Sequence, residues 1–340
     1  MYIKRAEFKN FTVFEDVEFE FGKGINIFIG ENGTGKTHAM KVLYSACQAA
    51  RTEISFSNKI VRTMLPDDYK ISRLVSKNCG NSAANVKITA VSDDVKETDM
   101  NVSFNKETKK WDAIVEGEDR WEREFAGISS VYIPAKEILS HSYKLPAAVA
   151  MNNVMFDDTY IDIINSSQID MTSGRSGGSK AAMLRRIEEI TEGKVVYDGQ
   201  RDEFYLEVGG SAQEFNLVAE GIRKMAMMWQ LIKNGTLENG SVLFWDEPEA
   251  NMNPTYMPVI VELLLELHRN GVQLFISTHN YILAKYFEVR KQKEDDVLFH
   301  SLAKSDGIVY ENNRRFSELK NNSVISSFNA LLDEIYDMED

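Results

Sequence analysis

The sequence predicts an α/β fold built on a parallel sheet that presents a triphosphate-binding loop, and three observations carry that expectation. Gly30-Glu31-Asn32-Gly33-Thr34-Gly35-Lys36-Thr37 fits the pattern G-x-x-x-x-G-K-[ST] at every fixed position. The apolar run Ile25-Asn26-Ile27-Phe28-Ile29 before it reads as a buried parallel strand, and Thr37 to Ala50 continues as a helix. Two later apolar runs, ending at Asp246 and at His279, have the form of central strands that deliver polar groups to the carboxyl edge of a sheet.

The loop comes first because its chemistry is the most specific. Its glycines let the backbone of Asn32, Gly33, Thr34 and Gly35 curl so that successive N–H groups face a phosphate, and the helix N-terminus adds positive potential. Lys36 is placed to reach the β- and γ-phosphates, and Thr37 to hold Mg²⁺.

Around it, Tyr2 to Phe11 and Val17 to Phe21 alternate apolar and polar side chains, so they read as a strand pair with one wet face. Phe11, at the turn between them, belongs either to the core or to a stack on adenine. From Arg51 to Gly127 short strands are expected at Asn85 to Val91 and Met100 to Phe104, completing the first lobe. Ser129 to Lys136 is a further buried strand that runs out at Pro134. The Gly- and Ser-rich stretch Ser173 to Lys180 reads as a loop before a helix, Ala181 to Glu192, and strands follow at Lys194 to Tyr197 and Glu203 to Val208. Arg175, Lys180, Arg185 and Arg186 suit a nucleic-acid phosphate or a partner; a solvated face is the simpler account.

Ser241-Val242-Leu243-Phe244-Trp245-Asp246-Glu247 is the second strong motif. Asp246 is the expected Mg²⁺ ligand, directly or through water, and Glu247 the general base that orients and deprotonates the attacking water. His279, closing Val272 to Ser277-Thr278, is placed to hydrogen-bond the γ-phosphate or that water.

Composition bounds the rest. The 340 residues exceed one average domain, so one large domain or two lobes is expected. Lys and Arg number 39 against 52 Asp and Glu, and the net charge of −13 argues against an all-over electrostatic grip on nucleic acid. Cys47 and Cys79, the only cysteines, have no metal or disulfide spacing, which suits a reducing cytosol. The N-terminus lacks the apolar core of a secretion signal, and no run approaches the roughly 18 apolar residues of a membrane span. A soluble, cytoplasmic protein without a membrane partner is expected.

Together with Leu217-Val218-Ala219-Glu220-Gly221-Ile222-Arg223-Lys224, Phe8-Lys9-Asn10-Phe11 and Trp245 to Pro254, these motifs resemble the ABC-type ATPase heads among the P-loop NTPases. The likeness is to the branch of the structural-maintenance-of-chromosomes (SMC) proteins, the RecF-like recombination proteins, the overcoming-lysogenization-defect proteins and the ATPases of anti-phage defence systems. The resemblance implies an α/β nucleotide-binding lobe at 1–140 and 236–310, a mainly helical signature lobe with inserted strands at 141–235, and a C-terminal helical segment at 311–340. It implies ATP and Mg²⁺ as cofactors and a homodimer or higher oligomer, in which Ala219, Glu220 and Gly221 of one head cap the γ-phosphate bound to the other. The signature serine is replaced by Ala219, a lost hydroxyl donor worth about 1.5–3 kcal/mol, so weaker closure or slower turnover follows. Asn253 stands where this branch commonly has a histidine, and Pro134 to Glu137 offers Lys136 and Glu137 where a Q-loop glutamine is usual.

Too few residues follow His279 for a TOPRIM nuclease, and no heptad arms interrupt the head. The expected function is therefore an ATPase whose head dimerisation controls a separate effector, a nuclease or toxin, in anti-phage defence. The alternative is a RecF- or SMC-like DNA-maintenance ATPase that clamps DNA, with nucleic acid as partner. Val324, Phe328, Leu331, Leu332 and Ile335 form a C-terminal apolar stripe, expected to pack on its own lobe.

Overall fold

The computed structural model describes every residue except 79, 81, 171–177 and 340; Cys79 and Arg175 therefore lie outside the described residues. β1 (Tyr2–Phe11) and β2 (Phe14–Glu20) pair antiparallel, with Phe8 opposite Val17 and every charged residue of β2 exposed. β3 (Ile25–Gly30) is buried along its whole length and feeds the phosphate loop, after which α1 (Lys36–Gln48) and α2 (Phe56–Met64) follow. β4 (Ala84–Val91), β5 (Glu97–Phe104) and β6 (Ile114–Glu116) then extend the first pair into a five-stranded antiparallel sheet of order β2-β1-β4-β5-β6.

α3 (Glu118–Phe125) leads to β7 (Ser130–Ile133), and α4 (Leu145–Ala150), α5 (Asp158–Ser167) and α6 (Gly178–Thr191) open a helical region. There β8 (Lys194–Asp198), β9 (Glu203–Val208) and β10 (Ser211–Glu214) form a small meander before α7 (Glu220–Lys233). The chain returns to the main sheet with β11 (Val242–Asp246), α8 (Met257–Arg269), β12 (Gln273–Thr278), α9 (Tyr281–Arg290), β13 (Val297–Ser305) and β14 (Gly307–Asn313), and ends in α10 (Ser323–Glu339).

The main sheet has the order β14-β13-β3-β12-β11-β7, parallel throughout except for β14. Because side chains alternate along a strand, it separates two cores. Ile25, Ile27, Ile29, Leu243, Trp245, Leu274 and Ile276 face α7, α8 and α9. Phe28, Phe244 and Phe275 face α1 and the antiparallel sheet, where Phe8, Phe14, Phe19 and Phe21 join them. Buried on both faces, these strands read as continuous apolar runs, which is why they were visible in the sequence.

Phe11 is fully buried, in ring contact with Phe8 and Phe104, so it belongs to this core and is not free to stack on adenine. The C-terminal stripe divides: Phe328 stacks on Tyr281 at 3.9 Å and Val324 packs on the core, while Leu331 and Ile335 are exposed. No described helix is long and apolar enough to cross a membrane.

Candidate nucleotide site at the edge of the parallel sheet

β3 ends at Gly30 with φ +150°, and a Cβ there would lie 2.1 Å from the Leu302 carbonyl of β13. Gly35, at φ +95°, would place a Cβ 2.5 Å from the Phe14 ring. At both positions only glycine fits the backbone turn and the close approach. Among the described residues, no protein acceptor takes the N–H groups of Asn32, Gly33 or Gly35, which leaves these donors of the loop open. Thr34 Oγ1 donates to Glu31 O at 2.9 Å and braces the curl. Lys36 lies within it, its buried Nζ donating to Gly30 O at 2.6 Å and Glu31 O at 2.9 Å. Burial lowers the pKa of its ammonium, against the pull of Glu247, Asp246 and Glu249.

Asp246 is the last residue of β11 and sits opposite Ser277 of β12. Three hydroxyls converge on its carboxylate: Thr37 Oγ1 at 3.0 Å, Tyr132 OH at 3.3 Å, and Ser277 Oγ. The pairing brings the loop helix, β7 and β12 to one acid, a juxtaposition set by strand order. Thr37 and Asp246 offer hard oxygen atoms side by side, the sparse protein share that Mg²⁺ takes when phosphates supply the rest. Among the described residues no cluster of three His, Cys, Asp or Glu forms a separate metal cage.

One residue on, the backbone turns. Glu247 has φ +48°, strained for a residue with a Cβ, and its N–H donates to Ser277 O at 3.0 Å. The turn points the carboxylate at His279, whose Nδ1 lies 3.0 Å from Oε1. Glu247, His279, Asp246 and the loop thus gather at the carboxyl ends of β3, β12 and β11. Glu249 is buried behind them, accepting from Thr278 Oγ1 at 2.5 Å, and burial raises its pKa.

Among the described residues, no hydrogen bond joins Ala219, Glu220 or Gly221 to this loop. α7 starts at Glu220, with Ala219 exposed at its N-terminus and lacking a side-chain cap. Glu220 accepts from Asn251 Nδ2 at 3.0 Å, and a Cβ on Gly221 would lie 3.2 Å from Asn251 O. Fully buried Lys224 donates to Ala250 O at 2.8 Å, and its burial lowers its pKa. These contacts tie the start of α7 to the Ala250–Met252 turn. Arg223 links the start of α7 to the segment after β7: its Nε lies 2.6 Å from Glu137 Oε2, off the line of a hydrogen bond, while Nη1 donates to Val218 O at 2.7 Å. Asn253 caps the following turn through Thr255 N at 3.0 Å. Of the exposed cations, Arg186 lies 3.4 Å from Glu266.

The motifs do not show that Tyr132 and Ser277 bond Asp246, that Thr278 bonds Glu249, that Lys224 bonds Ala250, or that Glu137 pairs with Arg223. Ser277 and Thr278 had a signal, being the polar end of a buried strand; the others depend on contacts far apart in the chain.

Residues 118–284 match the family model described as "AAA domain, putative AbiEii toxin, Type IV TA system". The "DNA replication and repair protein RecF" of Streptococcus gordonii is 30% identical over 90 residues, 26% of this chain and 25% of that protein. The match thus spans about a quarter of the length of that relative. Among solved structures, an SMC head bound to the C-winged helix domain of ScpA is 12% identical, with a TM-score of 0.61 over 92% of this chain and 98% of that one. A RecF–ATP structure is 14% identical, with a TM-score of 0.51 over 92% and 99%. At these identities the likeness is one of fold.

Proposed function

The chain has the ABC-type ATPase head fold of the SMC and RecF proteins, and from that premise we propose that it binds ATP with Mg²⁺ and hydrolyses it between two heads. The observation that carries this is the Glu247–His279 pair at 3.0 Å, beside the Thr37–Asp246 pair at 3.0 Å, on adjoining strand ends. The loop amides and Lys36 bind and orient the triphosphate. Thr37 and Asp246 would hold Mg²⁺, which supplies charge neutralisation at the β- and γ-phosphates. Glu247 takes the proton of a water placed in line with the γ-phosphate, and His279 orients that carboxylate and senses the phosphate. Ala219, Glu220 and Gly221 serve the site of the other head: they are exposed or packed on Asn251, and their contacts lead away from their own loop. The tethers of Lys224 to Ala250 and of Arg223 to Glu137 carry closure back to the turns that follow β11 and β7.

In this reading closure controls a separate effector, and the chain works in the cytoplasm. The family description naming a toxin–antitoxin system supports a defence role. A second reading, a head that clamps DNA, is favoured by the RecF relatives. It calls for ATP-dependent, strongly salt-sensitive DNA binding by the purified protein, and absence of binding at low salt removes it. The hydrolytic reading is tested with Glu247→Gln. ATP should convert this variant to dimers, seen as a doubled mass in light scattering, with turnover lowered by about a hundredfold or more. Parental turnover would refute the base assignment.

A further inference from the structure

The phosphate loop has a second cation, contributed by the strand beside β3. β13 runs parallel to β3 with Leu302 opposite Gly30. β3 stops there and turns into the loop, whereas β13 continues to Ser305. That overrun carries exposed Lys304 across the crown of the loop, where its Nζ donates to Asn32 O at 2.7 Å. A Cβ on Gly33 would lie 3.3 Å from the same nitrogen, so glycine at this position leaves the room that the ammonium occupies. Among the described residues no carboxylate pairs with Lys304, although acids outnumber bases by 13 in the chain. Lys36 bonds the carbonyls of Gly30 and Glu31 and Lys304 that of Asn32, so two ammonium groups grip three successive carbonyls of one loop. Their charges oppose each other: Lys36 is lowered first by burial, and Lys304 adds to that lowering. Two cations held together at a loop with open N–H donors are satisfied by one anion within reach of both. A lysine has three N–H donors, and among the described residues one of those on Lys304 finds an acceptor.

We infer that Lys304 binds the terminal phosphate of ATP from the outer side of the loop, while Lys36 binds from within. This rests on the ATP reading above. It makes the β13–β14 hairpin a nucleotide-sensing element and gives the site a means of distinguishing ATP from ADP.

The test is calorimetric titration of the full chain with Mg²⁺ and either the non-hydrolysable analogue AMP-PNP or ADP, in the parent, Lys304→Met, Lys304→Arg and Lys36→Ala. Because residue 304 is exposed, the methionine variant should melt with the parent. Lys304→Met should weaken AMP-PNP by about tenfold or more and ADP by less than about twofold, and Lys304→Arg should restore the difference. Equal weakening of both nucleotides would mean that Lys304 only staples the Asn32 carbonyl, and unchanged AMP-PNP affinity would make it a bystander; either overturns the inference. If the parent bound no better than Lys36→Ala, the phosphate-loop reading itself would fall.

Discussion

Acid should loosen the strand that supports the phosphate loop, through His300. This residue is fully buried in β13, opposite Phe28 of β3 and in ring contact with Phe19, Phe21 and Phe28. Its Nδ1 lies 2.9 Å from Tyr310 OH and its Nε2 3.2 Å from Asn26 Oδ1. Asn26 Oδ1 can only accept, so Nε2–H donates to it and Nδ1 accepts from Tyr310, the pattern of a neutral ring. Burial pushes the imidazole from 6.5 down to about 3. Between those values the unfolded chain binds a proton that the folded chain refuses, so stability rises with pH across this window. The contribution is whole above the unfolded pKa and is lost as pH falls, at about 1.4 kcal/mol per pH unit. From about pH 6.5 to about pH 4.5 that amounts to roughly 2 kcal/mol, a large part of a typical net stability. Urea unfolding of the parent and of His300→Gln at about pH 7 and about pH 4.5 isolates the effect from the many carboxylates. The parent should lose about 2–3 kcal/mol more than the variant over that interval. Equal losses would show that the buried imidazole is not what acid attacks.

Two further outcomes follow from the site. Gly35→Ala places a Cβ 2.5 Å from the Phe14 ring at φ +95°; it should cost about 1–3 kcal/mol in a thermal melt and abolish nucleotide binding, and a variant that binds ATP normally would contradict the loop geometry. Glu137 has a fully buried side chain and Arg223 a partly exposed one, so Arg223→Met should destabilise by about 3–5 kcal/mol, more than Glu137→Gln, which leaves Arg223 its bond to Val218 O; the reverse order in denaturant midpoints would refute the assignment of the buried charge.

What could be read in advance divides along physical lines. The loop, Asp246-Glu247 and His279 were legible because each sits at the end of an apolar run buried on both faces, a pattern confined to a few consecutive residues. Exposed or short edge strands such as β6 and β10 lack such a run and were missed. Phe11 remained open because a buried aromatic and a stacking aromatic look alike without the neighbours that close around it, here Phe8 and Phe104. The hydroxyls of Tyr132 and Ser277 on Asp246, the tether from Lys224 to Ala250, and Lys304 over Asn32 all depend on parallel register or on packing between distant segments. Exposure of Leu331 and Ile335 went against the apolar stripe, since periodicity marks a face without saying what covers it.

The central claim is that the loop is half of a site completed by a second copy. Lys36→Ala disables the loop and spares the start of α7. Ala219→Trp, at an exposed position, blocks that start and spares the loop. Each variant alone should hydrolyse no ATP, and mixing the two should restore turnover, because a mixed pair contains one intact loop facing one intact Ala219. Turnover in the mixture no greater than the sum of the separate variants would contradict the account.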